Sequence, residues 1–352
     1  MHTIAQNLSQ RITIHDIARE LNLTTATVSR ALNDHPRISA ETKQLVHDKA
    51  QQMKYRRNKL ASSLRSGKSH TIGVIIPSAQ MNFFGSVVHG IENTASNSGY
   101  SILLYQSEET PALEKKAIET FLSARVDGIL ASIAKETVEF SHYTELKKRN
   151  IPLVFFDRTN EDLKIPAVVI DDYKGGYLAT EHLIKNGYER IAHIAGPQHL
   201  KGFRDRLNGY KEALRDHGKN INESYVFQGN VSIESGKEAL NYFLKLKEPP
   251  DAVFAVEDFT ALGVIKSLKE RKISIPEDFG IIGFANESFD EFITPTLSSV
   301  DQQTVQMGKE AFNLLLDIIN RKDGKSGIQE REKIVLEPVL YYRESSAGKN
   351  AN

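Results

Sequence analysis

The sequence contains no cysteine and no tryptophan, and it has only four methionines among its 352 residues. Without thiols the chain can form neither disulfide bonds nor thiolate metal sites, an absence that fits a reducing compartment. No apolar run approaches the length of a membrane-spanning helix, and residues 1–12 lack the apolar segment of a secretion signal. Together these absences predict a cytoplasmic protein without a membrane partner.

The sequence also lacks the short motifs that mark common enzyme classes. It has no glycine-rich phosphate loop, no nucleophile elbow and no histidine cluster with metal-ligand spacing. The acidic pairs Asp171–Asp172 and Glu257–Asp258 resemble catalytic or metal-binding carboxylates, but none of those motifs accompanies them. We therefore predict that the protein is not an enzyme and holds neither a cofactor nor a metal.

The charge is distributed unevenly along the chain. Hydrophobic residues make up 40% and charged residues 26%, the composition of a soluble globular protein with room for two or three domains. Residues 1–68 hold 12 basic and 5 acidic residues, a net charge of +7, whereas the remainder holds 33 basic and 40 acidic residues. A basic module on an acidic body is typical of a protein that binds a polyanion.

Residues 13–33 predict two short helices joined by a tight turn. Thr13 is a good N-cap, and the carboxylate of Asp16 lies three residues later, where it can accept a hydrogen bond from the cap residue. Apolar residues recur at helical spacing over 14–21, and Asn22 then tolerates the left-handed conformation that a turn needs. The first helix therefore has one apolar face and ends near Asn22.

The second predicted helix combines an inward apolar face with a small, polar outward face. Thr24 caps this helix, and Val28 and Leu32 face inward. The outward positions near its start are held by Thr25, Ala26, Ser29 and Arg30. This pattern matches a helix-turn-helix, whose second helix enters the DNA major groove. The alternative is an ordinary helical hairpin, which does not explain the basic charge of the same segment.

Ser39 is predicted to cap a third helix over 40–53. Its core candidates are Leu45, Val46 and Met53. The next segment, 55–71, is polar and basic apart from three apolar residues, among which we nominate Leu64 as functional. The segment is either a flexible linker or a hinge that becomes helical on DNA, where an apolar side chain can enter the minor groove.

From Thr71 onward, short apolar strands alternate with amphipathic helices, which predicts doubly wound parallel sheets. Strands are expected at 72–76, 101–105, 127–132, 152–156, 167–171, 190–195, 225–229, 252–256 and 279–284. The charged segment 158–166 is interpreted as a crossover between two lobes, since the spacing of strand, turn and helix repeats weakly along the chain. Two lobes form a cleft, and ligands of such sheets bind beyond the carboxyl ends of the strands.

Polar side chains that directly follow predicted strands are the candidates for that cleft. They are Asp157, Arg158, Glu257, Asp258 and Asn286, joined by Asn82, Phe83 and Phe84 in the loop after the first strand. Polar groups beside exposed aromatic rings are what a sugar or heterocycle site requires. Each residue alone also fits a cap or a turn. The set favours a ligand site, because several strands deliver polar groups to one end.

The ordered motifs resemble those of the LacI/GalR family of bacterial transcription regulators over about 12–342. They are DIA and LTTATVSRALN in the head, followed by GYSILL, RVDGIL, PLVFFDR, HLIKNGYERIAHIAGP, RDRLNGYKEAL, ALGVIKSL, IPEDFGIIGF and TPTLSSVDQ. The resemblance implies an N-terminal all-α helix-turn-helix head and an α/β body of two lobes, like a type I periplasmic binding protein with parallel doubly wound sheets. The expected ranges are 11–56 for the head, 57–69 for the hinge, 70–164 with 301–325 for the first lobe, and 165–300 with 326–344 for the second lobe.

The resemblance also implies roles in DNA binding. The base-reading residues would be Thr25, Ala26 and Arg30, with Ile14 and His15 near the groove, and the phosphate-binding residues would be Thr24, Thr27, Ser29 and Asn33. Ala26 can offer only a methyl group, which suits a thymine methyl, whereas Arg30 can pair with guanine O6 and N7. In the hinge, Leu64 would intercalate in the minor groove beside Ala61. The sequence departs from the family at Arg57 and Ser62, where proline and arginine are usual.

In the body, the resemblance implies a set of effector-binding residues. They are Phe83, Asp157, Arg206, Asp258 and Gln302, with Asn82, Phe84 and Arg158 as neighbours. Arg206 would clamp vicinal hydroxyls or a carboxylate through its fork of donors. The sequence has Ala285 where most relatives place an aspartate, and Asn286 or Glu287 is the candidate substitute. The identity of the effector therefore cannot be inferred from the effector of a relative.

The expected function is sequence-specific binding of palindromic, double-stranded operator DNA by a homodimer. A small-molecule effector in the cleft, a sugar or sugar derivative with a nucleobase as the alternative, would shift the affinity for DNA. The tail ESSAGKNAN lacks the apolar heptads of the family's tetrameric members, which favours a dimer. The competing class is a sensing protein related to solute-binding proteins, which would share the body but not the basic head.

Overall fold

The computed structural model describes residues 12–55, 68–321 and 333–348. The chain divides into two compact units, Met1–Ser69 and His70–Asn352, which we call the head and the body. The hinge residues Ala61 and Leu64, like Arg57 and Ser62, lie outside the described residues, so their roles stay predictions. Within the described residues, no helix is both long enough and apolar enough to span a bilayer.

The described part of the head has three helices: α1 at Ile14–Glu20, α2 at Thr25–Ala31 and α3 at Ala40–Gln52. They bury one small core, which consists of Ile17, Ala18, Val28, Ala31, Val46 and Ala50. Leu45 was expected in this core, and that prediction is wrong, since its side chain is 51% exposed. The reason is the helical period, because the buried stripe of α3 is set by Val46 and Ala50, four residues apart.

Local hydrogen bonds define the helix boundaries in the head as the sequence predicts. The backbone N–H and the hydroxyl of Thr13 donate to the Asp16 carboxylate at 2.9 and 2.7 Å. These bonds, the hydroxyl first, lower the pKa of Asp16. Asn22 has a φ of 50° in the turn, and the Thr24 hydroxyl accepts the Thr27 N–H at 3.1 Å to start α2.

The described part of the body consists of two six-stranded sheets. Its strands are β1 Thr71–Ile76, β2 Ser101–Gln106, β3 Gly128–Ala131, β4 Leu153–Phe156, β5 Ala167–Ile170, β6 Ile191–Ala195, β7 Val226–Gln228, β8 Ala252–Ala255, β9 Gly280–Phe284, β10 Ser298–Asp301, β11 Lys333–Leu336 and β12 Val339–Tyr341. The first sheet has the order β2-β1-β3-β4-β5-β11 and is parallel throughout. The second has the order β7-β6-β8-β9-β10-β12, in which only β12 is antiparallel.

In the described part of the body, eight helices cover these sheets. They are α4 Asn82–Asn97, α5 Pro111–Ser123, α6 Ser141–Lys148, α7 Asp172–Lys185, α8 Lys201–Asp216, α9 Ile233–Phe243, α10 Asp258–Glu270 and α11 Thr304–Asn320. Helix α11 returns to the first sheet and packs against α4. A Cβ added at Gly308 would lie 2.1 Å from the backbone oxygen of Val87, so the two helices meet at their backbones.

The expected lobe boundaries need a correction at two strands. Strands 167–170 and 333–336 were assigned to the second lobe, but both pair in the first sheet, next to β4 and to each other. The segment 158–166 contains only a short 3-10 turn, Glu161–Leu163, and returns the chain to the sheet that it left. The chain therefore crosses between the lobes after β5, after β10 and between β11 and β12.

Candidate DNA-reading surface and effector cleft

The outward face of α2 presents the residues nominated for DNA reading. Ala26 and Arg30 are exposed, and Thr25 is half-buried. Val28 and Ala31 face the head core at 0% exposure. This orientation leaves a methyl group and a guanidinium available on one surface of the helix, the chemistry that direct readout of base edges uses.

The other nominated head residues divide into exposed and structural positions. His15 is exposed, whereas Ile14 is half-buried and packs against the head core. The hydroxyls of Thr24 and Thr27 lie 2.9 Å apart, and the Asn33 amide donates to the Ser29 carbonyl at 2.6 Å. These three polar side chains therefore also stabilise the ends of their own helix.

A cavity of about 1090 Å³ lies in the body, walled by residues of both sheets. Seven of the nine nominated effector residues line it: Asn82, Phe83, Phe84, Asp157, Arg158, Arg206 and Gln302. The carboxyl ends of β4 and β8 contribute to the wall directly, through Asp157 and Glu257. The structure thus brings most of the nominated set together, as expected for the ends of parallel strands.

Asp258 and Asn286 are not on this wall. Asp258 is fully buried, where its carboxylate accepts the Ser299 hydroxyl at 2.7 Å and the Glu287 N–H at 3.0 Å. Asn286 donates to Asp301 at 3.1 Å and accepts from Arg343 at 2.8 Å, beside a smaller cavity of about 460 Å³. The interactions of both residues support the second sheet rather than a ligand in the larger cavity.

Arg206 is held by three groups of the second lobe. Its Nε donates to Asp172 at 2.8 Å, and its Nη1 donates to the Val256 carbonyl at 2.8 Å. The guanidinium carbon lies 3.6 Å from the centroid of the Phe284 ring, and the side chain is almost fully buried. This geometry fixes the guanidinium plane before any ligand arrives, which is how a preorganised donor acts.

Arg158 is held in a comparable way in the first lobe. Its Nη1 donates to both oxygens of Glu109 at 2.9 and 2.7 Å, and its Cζ lies 5.6 Å from the Phe84 ring centroid. The neighbouring Asp157 has a φ of 59° and accepts a long hydrogen bond from Ser132 at 3.4 Å. Burial raises the pKa of Asp157 to about 6, although Arg158 acts in the opposite direction.

Glu257, a strand-end candidate that is not among the effector residues implied by the family resemblance, also lines the cavity. It caps α10 by accepting the Phe259 N–H at 2.9 Å, and it lines the cavity directly before the buried Asp258. Burial, and next the Asp258 charge, raise the pKa of Glu257 from 4.5 to about 8. The folded state therefore retains a proton that the unfolded state releases, so the stability from this group is lost as the pH rises through about 8.

A second carboxyl pair lies behind the wall. Asp258 and Asp290 are both fully buried, and Arg343 approaches Asp290 to 3.8 Å. Burial, and next the Asp258 charge, raise the pKa of Asp290. Because two buried carboxylates in contact cannot both be ionised at low cost, the pair holds a proton at neutral pH.

A hydrogen bond connects the two lobes directly across the cavity. The Asn82 amide at the start of α4 donates to the Glu287 carboxylate at 2.8 Å. Glu287 follows β9 of the second sheet and is only 8% exposed. We call this contact the lobe latch. It lies where the larger and the smaller cavity share wall residues.

The wall residues missing from the nominated set had different signals in the sequence. The strand-end rule had already selected Glu257 after β8, and it applies equally to Asp172, which follows β5. Glu109 has no such signal, because it lies in a polar turn after β2 and meets the wall through its hydrogen bonds with Arg158 and with the Lys135 N–H. Its φ of 62° identifies the turn in the structure, but the sequence does not show it.

A helix-turn-helix head joined to a two-lobed body with a ligand-sized cavity defines a ligand-responsive regulator of transcription. Residues 69–335 match the family model described as periplasmic binding proteins and sugar binding domain of LacI family. Residues 13–58 match the model of bacterial regulatory proteins, lacI family.

Known proteins are similar over nearly the whole chain. Catabolite control protein A of Priestia megaterium is 34% identical over 322 residues, which cover 90% of this chain and 95% of that protein. The HTH-type transcriptional repressor PurR of Haemophilus influenzae is 32% identical and covers 95% and 98%. The solved complex of the transcriptional regulator CelR with cellobiose is 28% identical, covers 95% and 100%, and has a TM-score of 0.70. The chain belongs to the LacI family: it is a DNA-binding transcriptional regulator and not an enzyme.

Proposed function

We propose that the protein is a repressor of a sugar or other catabolic operon, and that a carbohydrate in the larger cavity controls its affinity for DNA. The observation that carries this proposal is the convergence of seven nominated residues on one cavity between two lobes. A ligand that contacts both lobes has different affinities for their open and closed arrangements, which is the condition for control.

The composition of the cavity wall favours a carbohydrate. Asp157 and Gln302 offer hydrogen-bond acceptors, Arg206 offers fixed donors, and the rings of Phe83 and Phe203 offer apolar faces. Alternating hydroxyls and C–H groups of a sugar ring match such a mixture of polar and aromatic groups. The similarity to the CelR–cellobiose complex supports the same class of ligand.

The head supplies the other half of the proposed function. Two copies related by a two-fold axis would place two α2 helices in successive major grooves, so the operator is expected to be palindromic. Ala26 and Arg30 would read bases, whereas Thr24, Thr27, Ser29 and Asn33 would contact phosphates. Because the target is chromosomal DNA, the protein would act in the bacterial cytoplasm. The two-fold arrangement of the heads means that it would act as a homodimer.

The test combines DNA binding with a ligand screen. Fluorescence anisotropy would measure binding to labelled DNA from next to the gene, at several salt concentrations, since phosphate contacts make the affinity fall steeply with salt. Neutral sugars and nucleobases would then be screened for a rise in melting temperature and for a change in that affinity. Binding to no DNA fragment would refute the regulator, and a response to nucleobases alone would refute the carbohydrate.

A further inference from the structure

The two arginines that lie deep in the cavity wall, Arg158 and Arg206, are already neutralised by carboxylates. Arg158 gives both of its Nη1 hydrogen bonds to Glu109, and the two side chains are only 18% and 17% exposed. Arg206 gives its Nε to Asp172, where the side chains are 7% and 16% exposed. Burial strengthens such pairs, since water screens them little. Neither guanidinium therefore offers an uncompensated positive charge to an incoming anion.

The remaining titratable groups deep in the wall are carboxyl groups, of which Glu257, with its pKa raised to about 8, is uncharged at neutral pH. Asp157, Glu257 and Glu287 all line the cavity and are at most partly exposed. The other cations of the wall are exposed at its rim: Lys135, Lys201, Arg204 and Lys333. Lys333 is paired with Glu161 at 2.8 Å, and Lys201 is paired with Asp205. Solvent screens these rim charges, so the interior of the cavity remains acidic.

We propose that the cavity selects an uncharged, hydroxyl-rich ligand and rejects its phosphorylated and carboxylated counterparts, because Glu109 neutralises Arg158 and Asp172 neutralises Arg206. This inference rests on the proposed function and assigns the charge class of its effector. Carboxylates that are ionised accept hydrogen bonds from hydroxyls and offer none to a phosphate. A phosphate bound here would lose its hydration and would lie beside carboxylates of the same charge. Such a like-charge contact strongly disfavours binding.

The raised pKa values of the wall agree with this selection. The pKa values of Asp157 and Glu257 are already raised to about 6 and about 8, so placing a further negative charge beside them is unfavourable. A neutral ligand adds no charge beside these two carboxyl groups. An anionic ligand would raise both values further and would bind with proton uptake.

The test titrates the full-length protein with matched pairs of ligands by isothermal calorimetry. The probes are D-glucose with glucose 6-phosphate, and D-ribose with ribose 5-phosphate. The wild type is compared with Glu109→Gln/Asp172→Asn, which frees both guanidiniums. The control is Glu145→Gln/Glu212→Gln, which also removes one arginine partner per lobe but at exposed pairs on α6 and α8.

We expect the wild type and the control to bind neither sugar phosphate detectably, and the freed variant to bind at least one of them about tenfold more tightly or better. Micromolar binding of a sugar phosphate by the wild type would overturn the proposal, as would a freed variant that is folded, judged by its melting temperature, and gains nothing. If the double variant does not fold, each single substitution is measured against the same criterion. Failure of every neutral sugar would instead refute the carbohydrate effector, because the phosphate titrations do not depend on it.

Discussion

The lobe latch gives the most direct test of how the body works. Replacing Asn82 by alanine removes the donor of a 2.8 Å hydrogen bond between the lobes and leaves the Glu287 carboxylate without that partner. A hydrogen bond to a charged group contributes about 1.5–3 kcal/mol, and a neutral one about 1 kcal/mol. Because Asn82 is exposed, water can hydrogen-bond to the Glu287 carboxylate in its place, so we expect the variant to lose ~1 kcal/mol of stabilisation of the closed lobes. That shifts the equilibrium between closed and open lobes by about fivefold toward open.

The absence of cysteine makes this shift measurable without background labelling. Cysteines introduced at Lys116 on α5 and Glu238 on α9, both exposed and in different lobes, would carry a donor and an acceptor dye. Single-molecule energy transfer then reports the fraction of closed molecules. Asn82→Ala should lower that fraction, whereas Glu287→Gln keeps an acceptor and should lower it less.

Asn93→Ala is the matched control for the latch. Asn93 lies on the same helix and is exposed, and its side chain bonds to His89 of that helix and to no residue of the other lobe within the described residues. It should leave the closed fraction unchanged. Equal effects of the two alanine variants, or no effect of Asn82→Ala, would show that the contact does not hold the lobes.

Three further predictions concern the head and the titration of the body. Arg30→Ala should lose about 1–3 kcal/mol of discrimination at one symmetric operator position, and a uniform loss across a panel of mutated operators would contradict the base-reading role. Ile17→Ala should destabilise the head by about 2–5 kcal/mol and abolish DNA binding while the melting of the body is retained, whereas the exposed Leu45→Ala should change stability by less than about 0.5 kcal/mol. Chemical denaturation should show the free energy of unfolding of the body falling from pH 7 to about pH 8, because folded Glu257 still binds a proton that the unfolded chain has released, and the contribution of Glu257 should level off above about pH 8. Glu257→Gln should flatten this fall, and an unchanged slope would mean that Glu257 does not titrate there; His182 and His193, with lowered pKa values of about 4 and about 3, contribute a constant amount above pH 7.

Much of the fold can be predicted because its determinants are local. Helix α2 begins where Thr24 supplies a cap and ends after one apolar stripe, and both features are visible in seven residues. The parallel strands are short apolar runs, and the residues after them must lie at one edge of a sheet. This strand-end rule is sufficient by itself to predict Asp157 and Arg158, and both residues line the cavity.

The assignment of strands to lobes depends on pairing and not on local pattern. Strand β5 follows a charged segment that has the length of a crossover, yet Ala167 and Val168 pair with Phe155 and Phe156 of the strand before it. Strand β11 then joins β5 after more than 160 intervening residues. Both strands are apolar enough for either sheet, so the sequence cannot distinguish the two assignments.

The orientation of neighbouring carboxylates is likewise decided by distant partners. Glu257 faces the cavity while Asp258 turns inward, because Ser299, 41 residues later, bonds to Asp258. Asn286, a candidate substitute for the family's aspartate, is drawn away by Arg343, which lies 57 residues from it. Glu287, the other candidate substitute, remains on the wall and closes the latch.

The charge state of the cavity depends on the same kind of long-range pairing. Arg158 and Arg206 are visible in the sequence as donors, and each would suit an anion if it were unpaired. Their partners Glu109 and Asp172 lie 49 and 34 residues away. A sequence therefore identifies which residues meet a ligand more readily than it identifies the ligand, because affinity for an anion depends on the charges that remain after these pairs have formed.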